Sequence, residues 1–179
     1  INLSPRLSIN KRKGNYIRTE TSLNNQKKLI NTSKTNFRSI STTNNFHNTI
    51  NITKRLNNKG SFVKTFISYQ IDQEEVENYN IYTIQIFDLN PSIENRNQLS
   101  KIDNKSANLN TRFSYRYPLI SKKLFLDIKY NYSQFKRENI NSTLDFNSDT
   151  NTYTVFNSTL SSNFSSDDIT KTPSLGIFY

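Results

Sequence analysis

The stretch Leu124–Tyr132, LFLDIKYNY, decides the fold. Leu124, Leu126, Ile128, Tyr130 and Tyr132 fall on one face of an extended chain, and Asp127, Lys129, Asn131 and Ser133 on the other. A period of two is the signature of a strand with one covered face. The cover can be a protein core or lipid.

The same alternation recurs on both sides of this stretch. Ala107–Ile120 alternates most strictly: Leu109, Thr111, Phe113, Tyr115, Tyr117 and Leu119 face one way, and Asn108, Asn110, Arg112, Ser114 and Arg116 the other. Weaker or shorter versions cover Ile1–Asn10, Asn15–Asn25, Phe46–Leu56, Ser61–Gln73 and Asp168–Tyr179. With Lys123–Phe135 this predicts about seven strands in an all-β, antiparallel up-and-down meander. Helix-period stretches of useful length are missing. Three short basic turns are expected at Lys11-Arg12-Lys13-Gly14, Asn57-Asn58-Lys59-Gly60 and Ser121-Lys122-Lys123. The Asn-Asn-Lys-Gly run has good hairpin chemistry. Long polar loops are expected near 26–45, 74–106 and 136–167, with Tyr79–Phe87 strand-like enough to extend the sheet.

Composition narrows the class. The 179 residues are 33% hydrophobic but 12% aromatic, and the mean hydropathy is −0.75. Few apolar residues argue against an ordinary compact domain. Many aromatics argue against disorder. Strands with one wet face satisfy both. No run of 18 apolar residues exists, so a membrane helix is excluded; a barrel strand never makes such a run. There is no Cys, so no disulfide and no thiolate metal site. Beginning and ending within alternating segments, the chain reads as an internal piece of a longer protein.

The formal net charge is +10. A polyanionic partner is one implication. The layout suggests another, because the expected short turns are basic and acid-free. Twelve of the fourteen acids lie between Asp72 and Asp103 or between Glu138 and Asp168. One end of the sheet is then basic and the other mixed. Tyr115 and Tyr117 near a short turn, and Tyr130 and Tyr132 toward the far end of the next strand, suggest two aromatic belts.

The run NLNTRFSYRYPLISKKLFLDIKYNYSQFKREN, followed by LDFNSDTNTYTVFNSTLSSNFSS and KTPSLGIFY, resembles the barrel of TonB-dependent-receptor-like outer-membrane proteins of Bacteroidetes type. The Ser-Tyr-x-x-Pro-Leu turn of that family is matched by Ser114-Tyr115-Arg116-Tyr117-Pro118-Leu119. Upstream, TINITKRLNNKGSFVKTFISYQ resembles one of its hairpins, and NRNQLSKIDNKSANLN its return strand. The resemblance runs from Phe46 to Tyr179; residues 1–45 match in style alone. It implies a partial outer-membrane β-barrel domain over 1–179, a third or so of a barrel of about 22 strands. It implies localisation in the cell outer membrane and contact with outer-membrane lipid. A plug domain and the TonB system would be partners of the full-length protein. It names no ligand.

No catalytic constellation is visible, and neither a cofactor nor a metal is expected. His47 has no nucleophile partner, and three Gly leave no phosphate-cradling loop. Asp145–Asn151 starts with the spacing of a calcium loop, but Thr150 stands where the turn Gly belongs and Phe156 where the bidentate Glu belongs. It reads as a polar external loop. Glu74, Glu75 and Glu77 read as a solvated face. Two functions remain. One is a non-enzymatic barrel segment of a transport or receptor protein, with no nucleic-acid partner. The other is a soluble basic RNA-binding protein of ribosomal type.

Overall fold

The computed structural model describes residues 1–87, 91–120 and 123–179. They form one antiparallel sheet of six strands in sequence order, and it is not closed. The strands are β1 (Asn2–Leu23), β2 (Leu29–Arg55), β3 (Phe62–Ile86), β4 (Ser92–Ile120), β5 (Leu124–Asn147) and β6 (Thr152–Phe178). Each has 22 to 29 residues, several times the usual strand length. At about 3.3 Å per residue they run roughly 70–95 Å.

The all-β meander agrees with the alternation, but the seven segments are six strands. Lys11–Gly14 is not a turn. Lys11 pairs with Thr42, Arg12 with Ser41, Lys13 with Ile40 and Gly14 with Ser39, so the first two segments are one strand. The reversal occurs later, where Asn24 Oδ1 accepts the backbone N–H groups of Gln26 and Lys28, both at 2.9 Å, and Lys27 takes φ 62°. The three expected long loops are mostly strand as well. Residues 29–45, 74–86, 92–106, 136–147 and 152–167 all lie in the ladders. Ser, Thr, Asn and charged side chains dominate both faces, and the apolar residues among them, such as Phe37, Ile40, Leu99, Ile102 and Ile140, fall on both faces, so outside Tyr79–Ile86 little regular hydrophobic alternation marks them. What fixes their register is polar pairing across strands: Ser41 to Glu74, Gln98 to Asp145, Thr83 to Asn95, and Ser100 to Asn141.

The Asn57–Gly60 turn forms as its residues predict. Asn57 Oδ1 accepts the N–H groups of Lys59 and Ser61 at 3.0 and 3.1 Å. Gly60 has φ 100°, and a Cβ there would lie 2.7 Å from the Phe125 ring, so both backbone and space demand glycine. Ser121 and Lys122 of the third expected turn lie outside the described residues; Lys123 donates its N–H to Ile120.

No second layer of the described residues covers the sheet. Among the described residues the one buried hydrophobic side chain is Leu99. What stabilises the sheet is therefore the backbone ladder and neighbouring side chains on each face, and each face stays open to a partner.

Candidate functional site

The register sorts every side chain onto one of two faces. Asp127 pairs with Arg116 and Gly176, and Arg116 with Phe62, so these share a face. It is mostly polar, carrying Thr49 and Asn51 of β2, Ser68 and Gln70 of β3, and Asn108 and Asn110 of β4, with Phe62, Phe66, Phe125 and Phe178 toward its turn end. His47 sits here between Arg6 and Gln70.

The opposite face changes character along its length. Near the Asn57–Gly60 turn it is apolar. Leu3, Ile50, Ile67, Thr111 and Tyr132 form one cross-strand row, and Ile52, Thr65, Phe113 and Tyr130 the next toward that turn. These side chains are not covered: Leu3 is 58% exposed, Tyr130 41% and Phe113 40%. Farther along the strands the same face becomes charged. Lys101 meets Glu77, Lys105 meets Asp103, and Lys136 meets Asp167 at 3.9, 2.7 and 3.5 Å. A small aromatic group lies beyond them, where Tyr79 and Phe146 both meet Tyr153 edge-on and Arg38 stacks over Tyr79. Burial, and the hydrogen bond Tyr79 donates to Glu77, raise the Tyr79 pKa above its ordinary value.

On the polar face, at the level of the apolar rows, lies the most buried ion pair of the described residues. The guanidinium of Arg116 donates two bonds to Asp127, each 2.6 Å, and Asp127 is 6% exposed. The rings of Phe62, Phe125 and Phe178 surround Arg116 at 5.1 to 5.4 Å. Ser61 Oγ donates to the Arg116 carbonyl at 3.0 Å, which ties the hairpin turn to β4. The cage thus joins β3, β4, β5 and β6. Alternation places Arg116 and Asp127 on the polar face; pairing them requires the register, which sequence does not supply.

The acidic run divides as a strand must. Glu74 turns to the polar face, toward Ser41 and Asn104. Glu75 and Glu77 turn to the other face, toward Gln73 and toward Tyr79 and Lys101. Asp145 is engaged by the amides of Gln98 and Asn157 at 2.8 and 2.9 Å. Asn147 closes the far turn by accepting the Asp149 N–H at 2.9 Å. Among the described residues no three His, Asp or Glu side chains gather as metal ligands. No family model, curated protein or solved structure matches the chain.

Proposed function

We propose that this sheet is a segment of a transmembrane β-barrel of the TonB-dependent-receptor-like kind, a non-enzymatic transport or receptor protein of a Gram-negative outer membrane. The apolar band on one face carries the reading. It covers Val63–Ile71 of β3, Ala107–Tyr117 of β4 and Leu124–Tyr132 of β5. Each stretch is about nine to eleven residues, the length a tilted strand needs to cross hydrocarbon. The other face is mostly polar over the same length, as a lumen would be, with Phe62, Phe66, Phe125 and Phe178 as its apolar members toward the turn end.

The band is also oblique. It reaches Ile9 on β1, but the neighbours in that row are Asn44, Gln73, Lys105 and Glu138. On β5 it ends at Tyr132, whose row reaches Leu3 on β1. The edge is level across β2, β3 and β4, at Phe46, Ile71 and Ala107, and from β1 to β5 it falls by about six residues in all, or roughly 20 Å, over about four strand spacings, or roughly 19 Å. A level bilayer would cut strands this way if they tilted about 45°, close to the tilt of outer-membrane barrels. Tyr69, Tyr130 and Tyr132 lie toward the outer margin of the band, and Tyr115 and Tyr117 toward the turn end. The charged lengths of the strands then stand outside the membrane as a continuation of the wall.

Charge gives the soluble RNA-binding reading its best support. Residues 1–55 hold eleven Lys and Arg against Glu20 alone, so the β1–β2 hairpin carries the whole formal charge of +10. Yet alternation divides these cations, with Arg6, Arg12 and Arg18 on the polar face and Lys11, Lys13, Lys34 and Arg38 on the other. A nucleic-acid surface gathers them on one face among aromatics.

Fractionation of cells expressing the full-length protein separates the two. The barrel reading expects recovery in the detergent-resistant outer membrane and heat-modifiable migration on a gel. Recovery as a soluble protein with salt-sensitive nucleic-acid binding would overturn it.

A further inference from the structure

We propose that the polar face holds an oxyanion-binding site built by Lys64, Arg112 and Lys129. Lys64 and Lys129 flank Ser114 in one cross-strand row, and Arg112 stands in the next row beside Asn131. With Asn51 and Phe66 they line a single depression of about 430 Å³. Its lining contains no carboxylate.

Many cations of this chain lack a carboxylate within 4 Å among the described residues, Arg137 on β5 included; what sets this group apart is that three of them line one depression. On β4 and β5, Arg96, Lys101, Lys105, Arg116 and Lys136 each have a carboxylate within 4 Å, whereas among the described residues Lys64, Arg112 and Lys129 have none. The nearest candidate along the face, Asp127, has both oxygens engaged by Arg116 at 2.6 Å. Three cations on adjoining strands repel one another, with backbones about 5 Å apart per strand step. A bound anion removes that repulsion.

The donors also match an acceptor-only ligand. Arg112 Nε donates to Asn131 Oδ1 at 3.0 Å, which orients the guanidinium and leaves its terminal N–H groups free. That bond uses the Asn131 oxygen, so the Asn131 amide can donate as well. The Lys64 ammonium, the Ser114 hydroxyl and the Arg112 fork border the depression, and the Lys129 side chain, whose ammonium rests 5.8 Å from the Phe178 ring, is long enough to turn to it; together they suit a group with several anionic oxygens. Phosphate-bearing and polycarboxylate small molecules share that chemistry. The site does not depend on what covers the opposite face, so it stands or falls apart from the membrane reading.

Calorimetric titration of the full-length protein with pyrophosphate, inorganic phosphate and citrate tests it. Saturable one-to-one binding of at least one of these is expected, weakening in high salt. Each of Lys64→Gln, Arg112→Gln and Lys129→Gln should weaken it at least about tenfold. Arg112→Lys should not restore it, because the fork is lost. Lys136→Gln, on the other face, should leave it unchanged. Unchanged far-ultraviolet dichroism checks that the variants fold. No saturable binding of any of the three anions, or binding undiminished in the triple variant, would overturn the proposal.

Discussion

The same face of the sheet is built in two ways along its length. Between the Asn57–Gly60 turn and the level of Ile71 and Ala107 it offers Val63, Ile67, Phe113, Ile128 and Leu175, with nothing over them. From that level on it offers Lys–carboxylate pairs whose members are 35% to 59% exposed. The ladder is continuous through both lengths, so backbone pairing does not distinguish them. What differs is the medium each needs. Paired charges stabilise little in water but tolerate it. Uncovered Leu, Ile and Phe each forgo about 1.5–3 kcal/mol that burial would supply.

A lysine scan along this face tests the difference most directly. Ile128→Lys, in the apolar length, should destabilise the full-length protein in bilayers by about 2–4 kcal/mol, measured by denaturant titration. Gln73→Lys, on the same face just past Ile71, should change stability by no more than about 0.5 kcal/mol. Equal costs at the two positions would erase the distinction. A harmless Ile128→Lys together with a damaging Lys129→Leu would mean that the faces are reversed.

The polar side of the apolar length has its own support in the Arg116 cage. Asp127→Asn leaves the guanidinium facing three aromatic rings without its carboxylate. Arg116 keeps partial solvent access, with 29% of its side chain exposed, so the cost should fall below that of a fully buried pair, at roughly 2–3 kcal/mol. Denaturant midpoints of Asp127→Asn, Arg116→Met and the double variant form the cycle that measures it. Additive costs would remove the cage as a unit that joins the strands.

How much of this was legible in sequence follows the same boundary. Leu124–Tyr132 and Ala107–Ile120 alternate between apolar and polar, so strand and facing were both readable. Ser92–Ser106 and Asn31–Thr43 are mostly polar, and their few apolar residues, Ile93, Leu99 and Ile102 or Phe37 and Ile40, fall on both faces, so hydropathy has no period there and the chain resembles loop. Lys11–Gly14 misleads for a related reason: its composition suits a turn, but its partners Ser39–Thr42 continue the ladder. The turn at Asn24–Lys28 rests on one Asn side chain and one positive φ, a weak sequence signal. The depression between Lys64, Arg112 and Lys129 was not visible, because its members come from three strands whose relative register only the fold defines.

Gly60 anchors the turn end of the comparison. Gly60→Ala must hold φ near 100° with a methyl against the Phe125 ring, which belongs to the Arg116 cage. The expected loss is about 1–2 kcal/mol, seen as a lower unfolding midpoint. Phe125→Leu should recover part of it by making room. Failure of that rescue would leave backbone strain as the whole effect.

The smallest expected effect lies at the far end, where Tyr79 donates to Glu77 at 3.2 Å. Tyr79→Phe keeps the ring against Tyr153 and Arg38 and removes one hydroxyl, at a cost of about 1 kcal/mol or less. The pH dependence gives this loss a signature. Burial first, and the Glu77 bond second, raise the folded-state pKa above the ordinary tyrosine value. The hydroxyl's contribution is therefore fully present below about pH 10, the unfolded value, and is lost as the pH rises through the higher folded value. Stability of the parent and of Tyr79→Phe, measured by denaturant titration across the alkaline range, should differ at neutral pH and converge above pH 10. A difference that persists at high pH would show that the hydroxyl acts through packing instead. The charged length would then resemble the apolar one more than its ion pairs suggest.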